Sequence, residues 1–205
     1  MVGIVDYNMG NLASVLNAFS LLDKEARVES DPEKLSQYER LILPGVGAFG
    51  DAMEHLKERG MDEAVKNYAN SGKPMMGICL GLQLLFDEGE EFGTHKGLGL
   101  IPGRVKEFDS SRFEHPLKVP HMGWNRLFTQ KDSKLFEGLD KSFYLYFVHS
   151  FHVETTDEHV IGMSEYGYPF VSAVNKDNIY GIQPHPEKSH NNGLKILSNF
   201  LQIKD

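Results

Sequence analysis

Strand-like runs and helical stretches alternate along the first part of the chain. VGIV at 2–5, ARVES at 26–30, RLILP at 40–44 and KPMMGI at 73–78 are the runs. After the first, Leu12, Val15, Leu16, Phe19 and Leu22 fall on one helical face. Ser30, Asp31 and Pro32 read as a cap and first turn of a short helix, and DAMEHLKERG and DEAVKNYAN read as helices. This order predicts a parallel sheet with helices on both faces.

The second half has a different rhythm. GLGLIPGRVKEF, KVPHMGWNRLF, FYLYFVHSFHV, HVIGMSEY, FVSAVNK and NIYGIQP read as strands joined by short turns, and GLKILSNFLQ as a closing helix. Such strands predict an antiparallel or mixed extension of the sheet. No repeat, linker or low-complexity segment interrupts the chain. At 205 residues, 40% of them hydrophobic, it is long enough to bury a proper core. The expectation is one α/β domain over residues 1–205. Its central mixed, largely parallel sheet is flanked by helices and carries the antiparallel extension.

The net charge is −8, with no basic stripe, which argues against nucleic acid as a partner. No apolar run approaches the ~18 residues of a membrane span. MVGIVDYN has no basic region and enters a strand at once, so no signal peptide is expected. One cysteine excludes an internal disulfide and fits a reducing, cytoplasmic setting.

That cysteine stands in GICLGLQLLF, residues 77–86, where Gly77-Ile78-Cys79-Leu80-Gly81 has the form G-x-C-x-G. The run before it is a strand and LGLQLLF reads as a helix. This is the arrangement of a nucleophile elbow, with a thiol in place of a hydroxyl. The flanking glycines remove side chains that would collide with neighbouring elements. The positive end of the helix would favour thiolate. A free cysteine is also an ordinary small buried hydrophobe, so the elbow alone leaves both readings open.

A thiol nucleophile needs a base, and the base an orienting group. GIQPHPEKS supplies both: His185 stands two residues before Glu187, between Pro184 and Pro186. The prolines favour an extended backbone. Extended residues i and i+2 point to the same side, which brings Glu187 to the imidazole. His149 and His152, three apart in one strand, would lie on opposite faces, so no metal site is expected. The loop Pro44-Gly45-Val46-Gly47 follows the third strand at the carboxyl edge, where α/β sheets place ligands. Its backbone can turn N–H groups toward an oxyanion. It can also be an ordinary turn, and it lacks the spacing of a phosphate loop.

PGVG, GICLGLQ and HPEKS together resemble the class I (triad) glutamine amidotransferases, over essentially the whole chain. The resemblance implies Cys79 as nucleophile, His185 as acid–base and Glu187 as orienter, with L-glutamine as substrate and no cofactor or metal. Gln83 would help hold the glutamine. Backbone at Gly47, in the Gly45-Val46-Gly47 loop, and at Leu80 would form the oxyanion hole. Ser150 and Phe151 would line the pocket. Three positions depart from the pattern: Asn8 for a usual glycine, Pro184 for a common aromatic residue, and Phe151 for a frequent tyrosine.

DYNMGNL, VPHMGWN and YFVHSF further resemble one branch of that family, the glutaminase subunits of imidazole glycerol phosphate synthase. That likeness implies a (β/α)8 barrel cyclase subunit as partner, met by Asn11, Trp124, Tyr146 and Lys188. It also implies ammonia delivery to a ribonucleotide in histidine biosynthesis. A paralogue feeding another acceptor, and a free-standing glutamyl hydrolase, are the alternatives.

Overall fold

The structure is a computed structural model and describes residues 1–204. Five strands form a parallel block in the order β2 (Ala26–Glu29), β1 (Val2–Val5), β3 (Arg40–Leu43), β4 (Met75–Ile78) and β13 (Ile179–Ile182). Antiparallel β12 (Pro169–Lys176) and β10 (Phe151–Glu154) continue it, followed by β7 (Ile101–Glu107). The far edge is β5 (Phe86–Gly89), parallel to β7, and the two-residue β6 (His95–Lys96). A branch leaves β12 through β11 (Val160–Glu165) to β8 (His121–Thr129) and β9 (Ser142–His149).

The four inner parallel strands, β1, β3, β4 and β13, are buried because helices cover both faces, while the edge strand β2 stays largely open to solvent. In β3, Leu41 and Leu43 point to a core with α2 (Phe49–Glu58) and α3 (Met61–Asn70), while Ile42 points to the other face. There it meets Val15 and Phe19 of α1 (Leu12–Leu21) and Ile196 and Phe200 of α5 (His190–Phe200). Each such apolar side chain contributes roughly 1.5–3 kcal/mol. Asn11 caps α1 by accepting from Ser14 N. The short helix after β2 is a 3-10 turn, Pro32–Gln37, with Asp31 as its cap.

Two expectations are corrected. The helix after Cys79, α4, ends at Leu84, and Phe86 already belongs to β5. Leu85 O accepts from Leu100 N and Ile101 N, and Phe86 O from Gly99 N. Pairing with the chain around β7 thus captures the segment before a second helical turn is complete. FYLYFVHSFHV is likewise not one strand. It changes partners at Ser150: β9 pairs with β8, and β10 pairs with β7 and β12.

Candidate active site

Three adjacent parallel strands end at the same edge of the sheet. Leu43 of β3 pairs with Gly77, and Ile182 of β13 pairs with Ile78. The PGVG loop, Cys79 and the segment around His185 therefore emerge side by side. Their separation in sequence is closed by register alone.

Cys79 has φ +55° and ψ −112°, a left-handed conformation rare for a side chain with a Cβ. Its N–H donates to Ile182 O at 2.8 Å, which ties the elbow to the neighbouring strand. Both flanking glycines are sterically required. A Cβ on Gly77 would lie 2.5 Å from Gly81 O, and one on Gly81 would lie 1.8 Å from Leu43 O. Gly45 packs behind the elbow, where a Cβ would meet Tyr7 Oη at 2.6 Å and Leu80 Cβ at 2.9 Å. Tyr7 donates to Pro44 O at 2.8 Å. Burial, then the nearby Cys79, push its phenol far above the usual tyrosine range.

His185 Nδ1 lies 2.7 Å from Glu187 Oε1. The contact forms through a 3-10 turn, Pro186–Lys188, capped by His185, and not along an extended strand. The carboxylate accepts, so Nδ1 carries the proton and Nε2 is left for the Cys79 sulfur. His185 N donates to Tyr146 O at 2.8 Å, and its carbonyl accepts from Ser189 Oγ. Burial alone would lower its pKa, but the Cys79 sulfur and Glu187 outweigh burial and push His185 up to about 10. With five residues, α4 supplies little dipole at the elbow.

Cys79 and His185 open onto a pocket of about 360 Å³. Val46, Gly47, Leu80, Gln83, Ser150 and Phe151 line it, and so does Lys188, which the likeness assigns to the partner face, whereas Gly45 and Glu187 stand behind its wall. Gly47 has φ +98°. Gln83 Nε2 donates to Phe151 O and to Gln183 Oε1, each at 3.1 Å, so its carbonyl oxygen is the group left for a ligand. Asn11 is occupied as a helix cap. Trp124 and Tyr146 lie outside the pocket, on the outer face of the β8–β9 ribbon. Trp124 stacks on His190 with centroids 5.1 Å apart and meets Tyr146 edge-on at 6.1 Å.

Three groups at the site were not expected. Glu91 lines the pocket and accepts from Phe49 N at 2.8 Å, at the start of α2, whose Ala48 gives no side-chain cap. One acidic residue in EGEEFG carries no sequence signal. Gln183 donates to Cys79 Sγ at 3.7 Å, and its place two residues before His185 was the available clue. The third is a pair of buried histidines. His149 Nδ1 donates to Phe151 O at 2.7 Å, which leaves Nε2 to accept from His121 Nδ1 at 3.0 Å. Burial holds His121 down at about 4 and His149 at about 3.

The expectation for His149 and His152 is corrected by the break at Ser150: both rings pack against Phe108, with centroids 5.2 and 4.9 Å away. Among the described residues no group of three or more histidine, cysteine or acidic side chains is placed to hold a metal.

The family model for class I glutamine amidotransferases matches residues 4–203. The chain is a class I glutamine amidotransferase. This amidotransferase is 65% identical to an imidazole glycerol phosphate synthase subunit HisH of Sulfurimonas denitrificans, covering 100% of this chain and 99% of that one. It is 59% identical to a protein of the same description from Wolinella succinogenes, over 99% and 100%. Among solved structures it is similar in fold to PurLQS from Thermotoga maritima, with TM-score 0.77 and 21% identity, covering 98% and 97%. A structure described as a glutamine amidotransferase gives TM-score 0.75 at 20% identity, covering 98% and 97%. No helix among the described residues is long and apolar enough to cross a membrane. A thiol, an imidazole and a carboxylate in a row beside a pocket are equipped for acyl transfer.

Proposed function

We propose that this amidotransferase hydrolyses L-glutamine to glutamate and ammonia through a thioester on Cys79, and hands the ammonia to a cyclase subunit. The observation that carries the reading is the row Cys79–His185–Glu187, buried at the wall of a pocket large enough for an amino acid. The Cys79 thiolate attacks the side-chain amide carbon. Backbone N–H groups of Gly47 and Leu80 hold the oxyanion. The His185 imidazolium gives its Nε2 proton to the leaving nitrogen, and ammonia departs as the C–N bond breaks. A γ-glutamyl thioester remains. Neutral His185 then takes a proton from water, the hydroxide adds to the thioester carbon, and glutamate leaves as the C–S bond breaks. Glu187 keeps Nδ1 protonated throughout. Glu91 and the Gln83 carbonyl oxygen are acceptors for the substrate's α-ammonium group, and Ser150 and Phe151 form its wall.

The acceptor is assigned by likeness to the HisH subunits. In this reading the partner is a (β/α)8 barrel cyclase that consumes ammonia and a phosphoribulosyl-formimino carboxamide ribonucleotide. It releases imidazole glycerol phosphate and an aminoimidazole carboxamide ribonucleotide, in the cytoplasm. The exposed apolar side chains of Met122, Trp124 and Tyr144 on one ribbon favour a partnered subunit over a free-standing hydrolase.

The test is Cys79→Ala in the complex with the cyclase encoded by the same genome. Glutamine-dependent synthesis is lost and synthesis from ammonium salt persists. Glutamine-dependent turnover in the variant overturns the nucleophile, and failure of ammonium to support synthesis overturns the partner.

A further inference from the structure

Gln183 is fully buried, yet the thioester cycle gives it no task. Its Nε2 lies 3.7 Å from Cys79 Sγ. Which end of this amide faces the sulfur is fixed by the network beyond it. Phe151 O is a carbonyl and can only accept, so the atom of Gln83 facing it at 3.1 Å is the nitrogen. The same nitrogen lies 3.1 Å from Gln183, whose facing atom is therefore the carbonyl oxygen. The –NH2 end of Gln183 is left for the sulfur. A flip would set two donors face to face and turn a carbonyl oxygen toward the nucleophile. The backbone is held as well: Gln183 N donates to Ser172 O at 2.8 Å.

The sulfur's other contacts make this donor matter. Val148 O lies 3.8 Å from Sγ. A neutral thiol donates to that carbonyl, but a thiolate faces it as two negative ends. His185 also interacts with the sulfur. We propose that Gln183 is a fixed hydrogen-bond donor to the Cys79 thiolate, locked in orientation by Gln83 and the Phe151 carbonyl, and that it shares with His185 the stabilisation of the nucleophile. The donor stays in place when His185 gives up its proton to ammonia. When glutamate leaves, the re-formed thiolate meets this donor together with the His185 imidazolium, which has by then regained a proton from water. This role rests on Cys79 being the nucleophile.

The test reads the thiol itself and not glutamine turnover, which separates it from the proposed function. Cys79 is the only cysteine, so alkylation by iodoacetamide reports one site. The rate is measured against pH in the full chain for wild type, Gln183→Met and Gln183→Glu. Methionine fills the space without a donor. Glutamate keeps the shape and the acceptor for Gln83 but loses the N–H. The midpoint of the alkylation profile should rise by about one pH unit in Gln183→Met, the tenfold shift expected on losing one hydrogen bond to an ion. It should rise at least as far in Gln183→Glu. In the complex, kcat for glutamine falls about tenfold with KM little changed. A midpoint equal to wild type in either folded variant overturns the role. So does a raised KM with unchanged kcat, which would make Gln183 only a pocket wall.

Discussion

Glu187 Oε1 lies 2.7 Å from His185 Nδ1, and both side chains are almost wholly buried. Among the described residues, buried Glu187 Oε2 has no hydrogen-bond partner and His185 is the one polar group on this carboxylate. An unpaired buried carboxylate is expensive, so the pair favours the imidazolium and, when the ring is neutral, keeps its proton on Nδ1. His185→Asn should lower kcat by roughly 100- to 10,000-fold, because the proton carrier is gone. Glu187→Gln should cost less, since the imidazole remains and loses only its anionic partner. Steady-state glutamate release in the complex checks the order, and the reverse order contradicts the roles.

The same pair fixes a pH dependence. Folding raises His185 from its ordinary value, near 6.5, to about 10. A raised pKa contributes stability that is fully present below the unfolded value and lost as pH rises through the folded one. The contribution should therefore be complete below about pH 6.5 and disappear toward pH 10. Imidazole NMR should show the His185 titration falling in Glu187→Gln, which removes one of the two groups that raise it. Urea unfolding at pH 6, 8 and 10 should show wild type losing its advantage over His185→Asn across that range.

Glycines at the elbow separate steric need from conformational need. Gly72 has φ +85° and open space where a Cβ would stand, whereas a Cβ on Gly81 would strike the Leu43 carbonyl at 1.8 Å. Gly72→Ala should cost about 1–2 kcal/mol, the strain of a left-handed residue alone. Gly81→Ala should cost at least the ~3 kcal/mol at the top of the overpacking range, because the obstacle is backbone. It should also displace Cys79 and abolish glutaminase activity. Urea midpoints and iodoacetamide reactivity measure the two effects. Equal costs would mean the elbow relaxes freely.

Much of this was legible in the chain. Gly77, Cys79 and Gly81 announce a steric requirement by their spacing, and the packing of Gly81 on Leu43 is its cause. His185 and Glu187 were findable because they are two residues apart. What the sequence hid was set by tertiary pairing. LGLQLLF has a helix's composition but is captured from Leu85 onward by β7. YFVHSF looks like one strand, and only the switch of partners at Ser150 sets His149 and His152 against the same ring. Glu91 was hidden because its role depends on where α2 starts, and nothing near it in sequence records that.

The buried histidines should govern acid unfolding. Burial lowers His121 to about 4 and His149 to about 3, and it lowers His152 as well. Below pH 6.5 the unfolded chain binds protons that these rings refuse, so stability falls as pH falls. Each such ring contributes a slope of about 1.4 kcal/mol per pH unit until its folded pKa is reached. Stability from urea unfolding should drop steeply between pH 6.5 and 4. His121→Asn, which keeps a donor for His149 but does not titrate, should flatten that slope by about one proton. An unchanged slope would mean that carboxylates, not these rings, set the acid limit.

The outer face of the β8–β9 ribbon reaches the base in two steps. Trp124 packs against Tyr146, and the Tyr146 carbonyl accepts from His185 N. The aromatic face and the base thus share the Tyr146 backbone. Trp124 is 48% exposed, the kind of aromatic anchor that dominates interfaces when covered. Trp124→Ala should weaken binding of the proposed cyclase partner by roughly 30-fold, the ~2 kcal/mol of an interfacial hot spot. The second element is Gly47, whose φ of +98° is available to glycine at little cost. A flip of the Val46–Gly47 peptide plane by about half a turn would exchange a carbonyl for an N–H at the proposed oxyanion site. Docking of the cyclase with its nucleotide bound should favour the N–H-inward arrangement. One oxyanion donor is worth ~100- to 1,000-fold in rate. The chain alone should release glutamate slowly, the apo complex little faster, and the liganded complex faster by about that factor. Trp124→Ala should regain the full rate once the cyclase is saturating. Equal rates for the chain alone and the liganded complex would sink the gate. A rate that stays low in saturated Trp124→Ala would mean that Trp124 acts on the base and not only on affinity.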